Sequence, residues 1–162
     1  MKINKILLST LLLTNCVFAH AADKKITISN AATYYDEKII QSNIRSECGT
    51  LGAQFSQNTK INLEKNGWAV ALSENPQNLN EGTQLKLMIS NALSDGNAFI
   101  GHHKSVSIIA ELYKDGKLID TFNTTRNSGG GFGAGFKNSC SVLERCVTTL
   151  GKDVAQWLKS KS

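Results

Sequence analysis

The sequence predicts an α+β fold in which an antiparallel-rich sheet of about five strands carries two helices on one face. Alternating apolar residues over positions 105–125 surround an Asp-Gly dipeptide and predict a β-hairpin. An apolar stripe from Leu143 to Leu158, with steps of three and four, predicts a closing helix. A weaker stripe over positions 38–65 predicts an earlier helix, which gives the order strand, helix, four strands, helix.

The first strand and the first helix follow from short patterns near the N-terminus. Residues 26–28 alternate and predict a short strand. Gly49 and Gly52 weaken the middle of the helix predicted over 38–65, so its first turns are expected to be separate. Gly67 predicts its end, since glycine accepts the left-handed cap conformation. The apolar stripe of this helix consists of Ile40, Ile44, Leu51, Phe55 and Ile61.

Two further strands precede the hairpin. Residues 68–72 alternate large and small side chains, and residues 85–90 alternate apolar with other side chains, as strands beside a core do. Residues 73–82 contain the single proline and predict a solvent-exposed loop. Residues 91–104 are rich in Gly, Asn and His and predict a longer loop.

The register of the hairpin is left open by the sequence. A two-residue turn at Asp115-Gly116 sets Leu112 opposite Ile119 and keeps Asp120 on the outer face. A turn with a glycine bulge shifts the register by one residue and brings Phe122 to the inner face.

The closing helix has a start signal and a defined buried face. Ser141 and Glu144 form a capping-box pattern, which predicts Ser141 as the N-cap. Trp157 lies on the apolar stripe and is expected to be largely buried. The stripe consists of Leu143, Cys146, Val147, Leu150, Val154, Trp157 and Leu158.

Residues 1–21 resemble a secretory signal peptide, with a basic start, an apolar run and an Ala-His-Ala cleavage site. Cleavage after Ala21 leaves residues 22–162 as a single α+β domain in the periplasm or outside the cell. Cys16 raises the alternative of a lipid anchor, but Asn15 is a poor residue before a lipidated cysteine. Soluble export is the better interpretation.

The charge of the mature chain is mild. Removing Lys2 and Lys5 lowers the formal net charge from +5 to +3, which is too small to indicate nucleic-acid binding. Beyond the signal peptide, no segment is apolar over the roughly 20 residues that a membrane span needs. We therefore expect no transmembrane segment after cleavage and no nucleic-acid partner.

Three cysteines, Cys48, Cys140 and Cys146, remain after cleavage, and an oxidising compartment favours a disulfide between two of them. A local bridge from Cys140 to Cys146 requires Cys140 to lie outside the regular helix. A bridge from Cys48 to either partner would instead join two helices. The sequence leaves these pairings open, with a buried thiol as the expected state of the third cysteine.

A glycine-rich loop over residues 128–137 holds five of the 13 glycines and leads into the closing helix. Free backbone N–H groups before a helix favour anions. Gly130, Gly131, Gly133, Gly135 and Lys137 are thus weak candidates for a ligand-binding site. The dinucleotide and phosphate-loop patterns do not fit, because the loop follows a hairpin and lacks Gly-Lys-Ser/Thr. A plain connector pinned by its two phenylalanines is the favoured alternative.

No catalytic, metal or cofactor site is predicted. His102 and His103 are expected in a solvated loop, and no third ligand stands at a readable spacing. The sequence has no Gly-x-Ser-x-Gly elbow, and its carboxylates are scattered. The remaining candidate for an active site is a cysteine paired with a histidine. We expect a protein that is not an enzyme.

Several motifs resemble those of small exported proteins of Gram-negative bacteria that have no established function. They are Arg-Ser-Glu-Cys at 45–48, Lys-Asp-Gly-Lys at 114–117, the glycine loop, Cys-Ser-x-Leu-x-Arg-Cys at 140–146, and Leu-Gly-Lys-Asp-Val-x-x-Trp-Leu at 150–158. The element order is similar to envelope α/β domains related to the N-terminal domain of TolB. The resemblance implies export and the α+β fold, and it carries over no catalytic residues.

Two hypotheses of function follow. The first is a non-enzymatic periplasmic or secreted protein that acts by binding an envelope or extracellular macromolecule. The alternative is a binder of a small anionic ligand, such as a lipid head group or a glycan fragment, at the glycine-rich loop.

Overall fold

The computed structural model of the chain describes residues 24–74, 81–97, 101–129 and 139–161. These residues form six strands and three helices. They are β1 (Lys24–Ser29), β2 (Thr33–Tyr34), α1 (Ser42–Glu47), α2 (Leu51–Lys65), β3 (Trp68–Ser73), β4 (Thr83–Asn97), β5 (Gly101–Lys114), β6 (Lys117–Gly129) and α3 (Ser139–Lys159).

The strands form one sheet in the order β3-β1-β4-β5-β6, and the short β2 pairs with β4 beyond the end of β1. Strands β4, β5 and β6 are an antiparallel meander, whereas β1 runs parallel to both β3 and β4. The predicted α+β class with an antiparallel-rich sheet is confirmed. The N-terminal strand lies inside the sheet, because the α1–α2 segment carries the chain across to the β3 edge.

The predicted loop over residues 91–104 is wrong, because most of it belongs to the long strands β4 and β5. Their pairing continues through Ala92 with Val106 and Asp95 with His103, after a register shift between Ile89 and Asn91. Backbone pairing with a neighbouring strand outweighs the turn propensity of these residues, since each strand satisfies the other's amide and carbonyl groups.

The β5–β6 hairpin combines features of both predicted registers. Asp115 and Gly116 have positive φ angles of 48° and 79°, as a two-residue turn requires. A register shift next to the turn then sets Leu112 opposite Asp120, so Ile119 is the extra residue and stays exposed. The shift turns Phe122 toward the helices, where it packs against the core.

The helix predicted over residues 38–65 forms as two helices, α1 and α2, with a break at 48–50 that contains Gly49, whereas Gly52 lies inside α2. Helix α2 ends before Gly67, whose φ of 85° confirms the predicted left-handed stop. The predicted N-cap is wrong, since α3 begins at Ser139 and Ser141 lies inside it. The carboxylate of Glu144 instead accepts a 2.9 Å hydrogen bond from Gln54 of α2.

The helices pack on one face of the sheet and bury a single apolar core. Helix α3 lies against β5 and β6, and α2 lies beside α3 and against β3 and β1. The largest fully buried side chains are Phe55, Ile26, Ile28, Ile44, Leu51, Leu63, Leu85, Leu87, Ile89, Ile108, Leu143 and Leu150. Within the described residues, no helix is both long and apolar enough to cross a bilayer.

Helices α2 and α3 approach each other closely at Gly151. A Cβ atom at this position would lie 2.7 Å from the backbone nitrogen of Thr59 and 2.8 Å from the carbonyl carbon of Asn58. Because backbone atoms cannot move aside as a side chain can, Gly151 sets the distance between the two helices.

We expect Gly151→Ala to lower the free energy of unfolding by about 1–3 kcal/mol, because the added methyl group overpacks the helix contact. Gly49→Ala is the matched control, since a Cβ there meets no atom within 4 Å and should change stability by less than about 0.5 kcal/mol. Denaturant unfolding of the two variants measures the difference. Equal stability would contradict the observed helix spacing.

The disulfide joins Cys48 at the end of α1 to Cys140 in the first turn of α3, with a Cα–Cα distance of 5.3 Å. It excludes the local pairing of Cys140 with Cys146. Both of these residues lie in α3, and six helical residues separate Cα atoms by about 9 Å along the axis. A disulfide needs less than about 7 Å.

Replacing Cys48 and Cys140 together with alanine should lower the free energy of unfolding by about 2–5 kcal/mol, because the bond closes a loop with a separation of 92 residues. Cys146→Ala should leave the bond intact. Peptide mapping of alkylated protein checks the pairing, and a peptide linked from Cys140 to Cys146 would contradict it.

Candidate functional site

The candidates in the glycine-rich loop cannot be placed. Gly130, Gly131, Gly133, Gly135 and Lys137 lie outside the described residues. The structure fixes only the ends of this segment, which leaves the sheet at the end of β6 and enters α3 at Ser139. The loop therefore stays a predicted site.

The two histidines lie on a strand and not in the predicted loop. His102 and His103 belong to β5, where they pair in register with Gly96 and Asp95 of β4, and the His103 side chain is exposed. Among the described residues, no group of three or more His, Cys, Asp or Glu side chains converges as a metal site would require.

Of the cysteines that the structure describes, Cys146 keeps a free thiol, and it lies on the buried face of α3. Burial raises the pKa of this thiol, and the charge of Arg145 offsets the effect in part. The thiol therefore stays protonated at neutral pH, whereas thiol chemistry needs the thiolate. His103, in contrast, is exposed on β5.

The most organised polar surface is the contact between β6 and α3, which we call the seam. Alternate residues of β6 face the helix, and residues spaced by four along α3 and the following turn face the strand. Three pairs result, in order along the strand: Asp120 with Lys161, Phe122 with Trp157, and Arg126 with Asp153.

Each pair of the seam has defined geometry. The Arg126 guanidinium donates two hydrogen bonds to Asp153, from Nε to Oδ2 at 2.7 Å and from a terminal nitrogen to Oδ1 at 2.6 Å. The rings of Phe122 and Trp157 stack with centroids 5.3 Å apart and planes 13° apart. Trp157 packs against the edge of the core with only a minor part of its surface exposed, which agrees with the expectation that it is largely buried.

The contacts across the seam shift the pKa values of Asp120 and Arg126. The hydrogen bond from Lys161 is the main cause that lowers the pKa of Asp120, and the backbone amide of Thr121 adds to it. The carboxylate of Asp153 raises the pKa of the Arg126 guanidinium. The strand and the helix are thus held together by opposite charges on both sides of the aromatic pair.

A groove of about 370 Å³ opens along the seam, and we call it the aromatic groove. The Phe122 and Trp157 rings form one part of its wall, and the ion pair of Arg126 with Asp153 forms another. Its full lining is Phe122, Thr124, Arg126, Asp153, Gln156, Trp157 and Ser160. Rings beside hydroxyl, amide and guanidinium groups are typical of ligand sites.

A second concavity, the lysine cleft, lies on the other side of α3, between α3 and α2. It has a volume of about 260 Å³ and is lined by Asn62, Lys65, Asn66, Lys152, Ala155, Gln156 and Lys159. Three ammonium groups and three amides face this space, and no carboxylate lines it. Gln156 lines both the cleft and the aromatic groove, so the two concavities meet across the exposed ridge of α3.

A third concavity, the arginine cleft, lies beside the point where the glycine-rich loop leaves the sheet. It has a volume of about 240 Å³ and is lined by Arg126, Asn127, Ser128, Arg145, Cys146 and Thr149. The guanidinium of Arg126 is already engaged by Asp153, whereas that of Arg145 is exposed.

The sequence contained a signal for the seam that the apolar pattern concealed. The α3 stripe places Trp157 in the core, and the face on which Phe122 lies depends on a register that the sequence leaves open. Arg126 and Asp153 lie outside both apolar patterns. The period of two through residues 120–126 and the period of four through residues 153–161 mark the two facing rows.

No family model and no curated protein sequence matches the chain. Solved structures share its fold. A Xanthomonas campestris protein of the DUF330 family has 11% identity and a TM-score of 0.58, and 86% of each chain is covered. A minor lipoprotein from Acinetobacter baumannii has 9% identity and a TM-score of 0.52, with 85% of this chain and 94% of that chain covered.

A third structure is the PelC dodecamer from Paraburkholderia phytofirmans. It has 14% identity and a TM-score of 0.51, with 80% of this chain and 87% of that chain covered. At these identities the likeness concerns the fold alone. The shared fold is consistent with the predicted resemblance to small bacterial envelope proteins. The similarity to TolB domains stays a prediction.

The stacked pair of the seam should show energetic coupling. In a double-mutant cycle of Phe122→Ala and Trp157→Ala, we expect a coupling energy of about 0.5–1.5 kcal/mol. The reason is that either single substitution already removes the stacking contact, so the second substitution cannot remove it again. Trp68→Ala with Phe122→Ala is the control, since these residues lie at opposite edges of the sheet. Denaturant unfolding gives both values. A coupling no larger than that of the control would contradict the stacking.

Proposed function

We propose that this chain is an exported protein of the bacterial envelope that acts by binding a macromolecule and not by catalysis. Its signal-like residues 1–21, with cleavage after Ala21, direct it to the periplasm or the medium. One of the solved structures with the same fold is named a lipoprotein, which agrees with an envelope location. The mature unit is the single domain of residues 22–162.

The aromatic groove is the observation that carries the proposal. Aromatic rings beside Arg and amide groups are the side chains that most often dominate recognition surfaces. In this groove the Phe122 and Trp157 rings are fixed by stacking, and the ion pair of Arg126 with Asp153 fixes the neighbouring polar groups. A surface that is ordered before binding loses little entropy when a partner docks. The groove is open along its length and suits an extended partner.

The arginine cleft favours a second candidate function, the binding of a small anionic ligand. It lies beside Ser128, where the glycine-rich loop leaves the sheet, and the exposed Arg145 supplies a positive charge. Gly130, Gly131, Gly133, Gly135 and Lys137 would contribute backbone N–H groups and a further charge. A lipid head group or a glycan fragment matches this chemistry.

Filling the aromatic groove should abolish binding to the envelope. The exported protein, purified from the periplasm, is mixed with an envelope fraction and sedimented. Thr124→Tyr places a ring in the groove and should reduce co-sedimentation at least about tenfold, which equals a loss of about 1.4 kcal/mol. Asn123→Tyr is the matched control, because this neighbouring residue lies on the opposite face of β6.

Melting curves confirm that both tyrosine variants fold, and Gln156→Tyr blocks the groove from the helix side if Thr124→Tyr does not. Unchanged co-sedimentation of the groove variants would overturn the proposal. A loss confined to Arg145→Gln would favour the second candidate function.

A further inference from the structure

We propose that the macromolecule is an acidic polysaccharide, with sugar rings in the aromatic groove and acidic substituents in the lysine cleft. This inference rests on the proposed function and names the chemical class of its partner. Two independent features carry it: the neutral, ring-lined groove on one side of α3, and the carboxylate-free lysine cleft on the other.

The aromatic groove matches the surface of a sugar ring. A pyranose has an apolar C–H face, which packs on aromatic rings, and a rim of hydroxyls, which pair with planar polar side chains. Phe122 and Trp157 supply the rings, and Gln156 supplies an amide that can both donate and accept. The charge of Arg126 is compensated by the bidentate bond to Asp153, so this groove favours hydroxyls over an anion.

The lysine cleft supplies the charge that the aromatic groove lacks. Its lysines give it a positive charge, which attracts an anion. Lys60, one turn before Glu64 on α2, is held by that carboxylate, whereas Lys65 and Lys152 have no carboxylate among the residues that line the cleft. Carboxylate or phosphate substituents on a polymer fit this cleft.

The two concavities are close enough for one chain to occupy both. Gln156 lines each of them, and Lys152 and Lys159 lie about one turn before and after it on α3. These two lysines are about 10 Å apart along the helix axis. A polymer that crosses the α3 ridge at Gln156 therefore meets rings on one side and ammonium groups on the other.

A membrane surface fits less well than a polysaccharide. Membrane-binding proteins insert protruding apolar side chains, whereas the Phe122 and Trp157 rings lie partly buried against each other. An acidic protein would bind to the lysine cleft. It would not explain why the aromatic groove combines rings and polar groups that match a sugar ring. The test below represents such an acidic protein by polyglutamate.

Tryptophan fluorescence tests the proposal directly. The chain has two tryptophans, so Trp68→Phe leaves Trp157 of the groove as the only indole. Titration of this variant with polygalacturonate should give a saturable change in emission. Dextran, a neutral polysaccharide, and polyglutamate, an acidic polymer without sugars, should each bind at least about fivefold more weakly. Trp157→Phe, which keeps Trp68 as the reporter, should show no change.

The charge requirement is tested in the same assay. Lys65→Gln with Lys152→Gln should weaken polygalacturonate binding about five- to tenfold, and added salt should weaken it further. Lys114→Gln with Lys117→Gln removes the same charge from the exposed hairpin turn, and binding should change less than about twofold.

The other possible results contradict different parts of the proposal. Equal binding of dextran would remove the acidic requirement, and equal binding of polyglutamate would remove the sugar requirement. If no polysaccharide binds while Thr124→Tyr still abolishes co-sedimentation with the envelope, the polysaccharide assignment fails and the proposed function stands. If neither binding is seen, both fail.

Discussion

The burial of one face of α3 against the sheet determines where the other surface features lie. Leu143, Val147, Leu150, Val154 and Leu158 are each at most 1% exposed, and each contributes about 1.5–3 kcal/mol of hydrophobic stabilisation. Because this stripe fixes the rotation of the helix about its axis, it also fixes the direction in which the neighbouring side chains point. Asp153 and Trp157 must face β6, and Lys152 and Lys159 must face the cleft beside α2.

Local patterns predicted the parts of the fold that local physics decides. The α3 stripe, the Asp115-Gly116 turn and the stop at Gly67 all depend on neighbours within a few residues, and the structure contains each of them. The sheet order, the parallel pairing of β1 and the length of β4 and β5 depend on partners far along the chain. The bond between Cys48 and Cys140 has the same origin, since only the folded sheet brings α1 beside the start of α3.

The candidate site was harder to predict than the fold because it arises where two periodicities meet. A strand repeats every two residues and a helix about every four on one face, so the rows through Phe122 and Trp157 become neighbours only after the register is fixed. A shift of one residue in β6 would turn Phe122 and Arg126 to the opposite face of the sheet. The bulge beside the hairpin turn thus decides whether the aromatic groove exists.

The disulfide divides the chain into a covalent ring and two open ends. Helix α2 and strands β3 to β6 lie between Cys48 and Cys140 and belong to the ring, whereas β1 belongs to the N-terminal open end and most of α3 to the C-terminal one. Yet β1 occupies the interior of the sheet, between β3 and β4. Strands β3 and β4 of the ring are joined in the sheet only through β1, which pairs with both of them. If β1 leaves the sheet, the remaining strands therefore separate into two parts, and the covalent ring keeps these parts tethered.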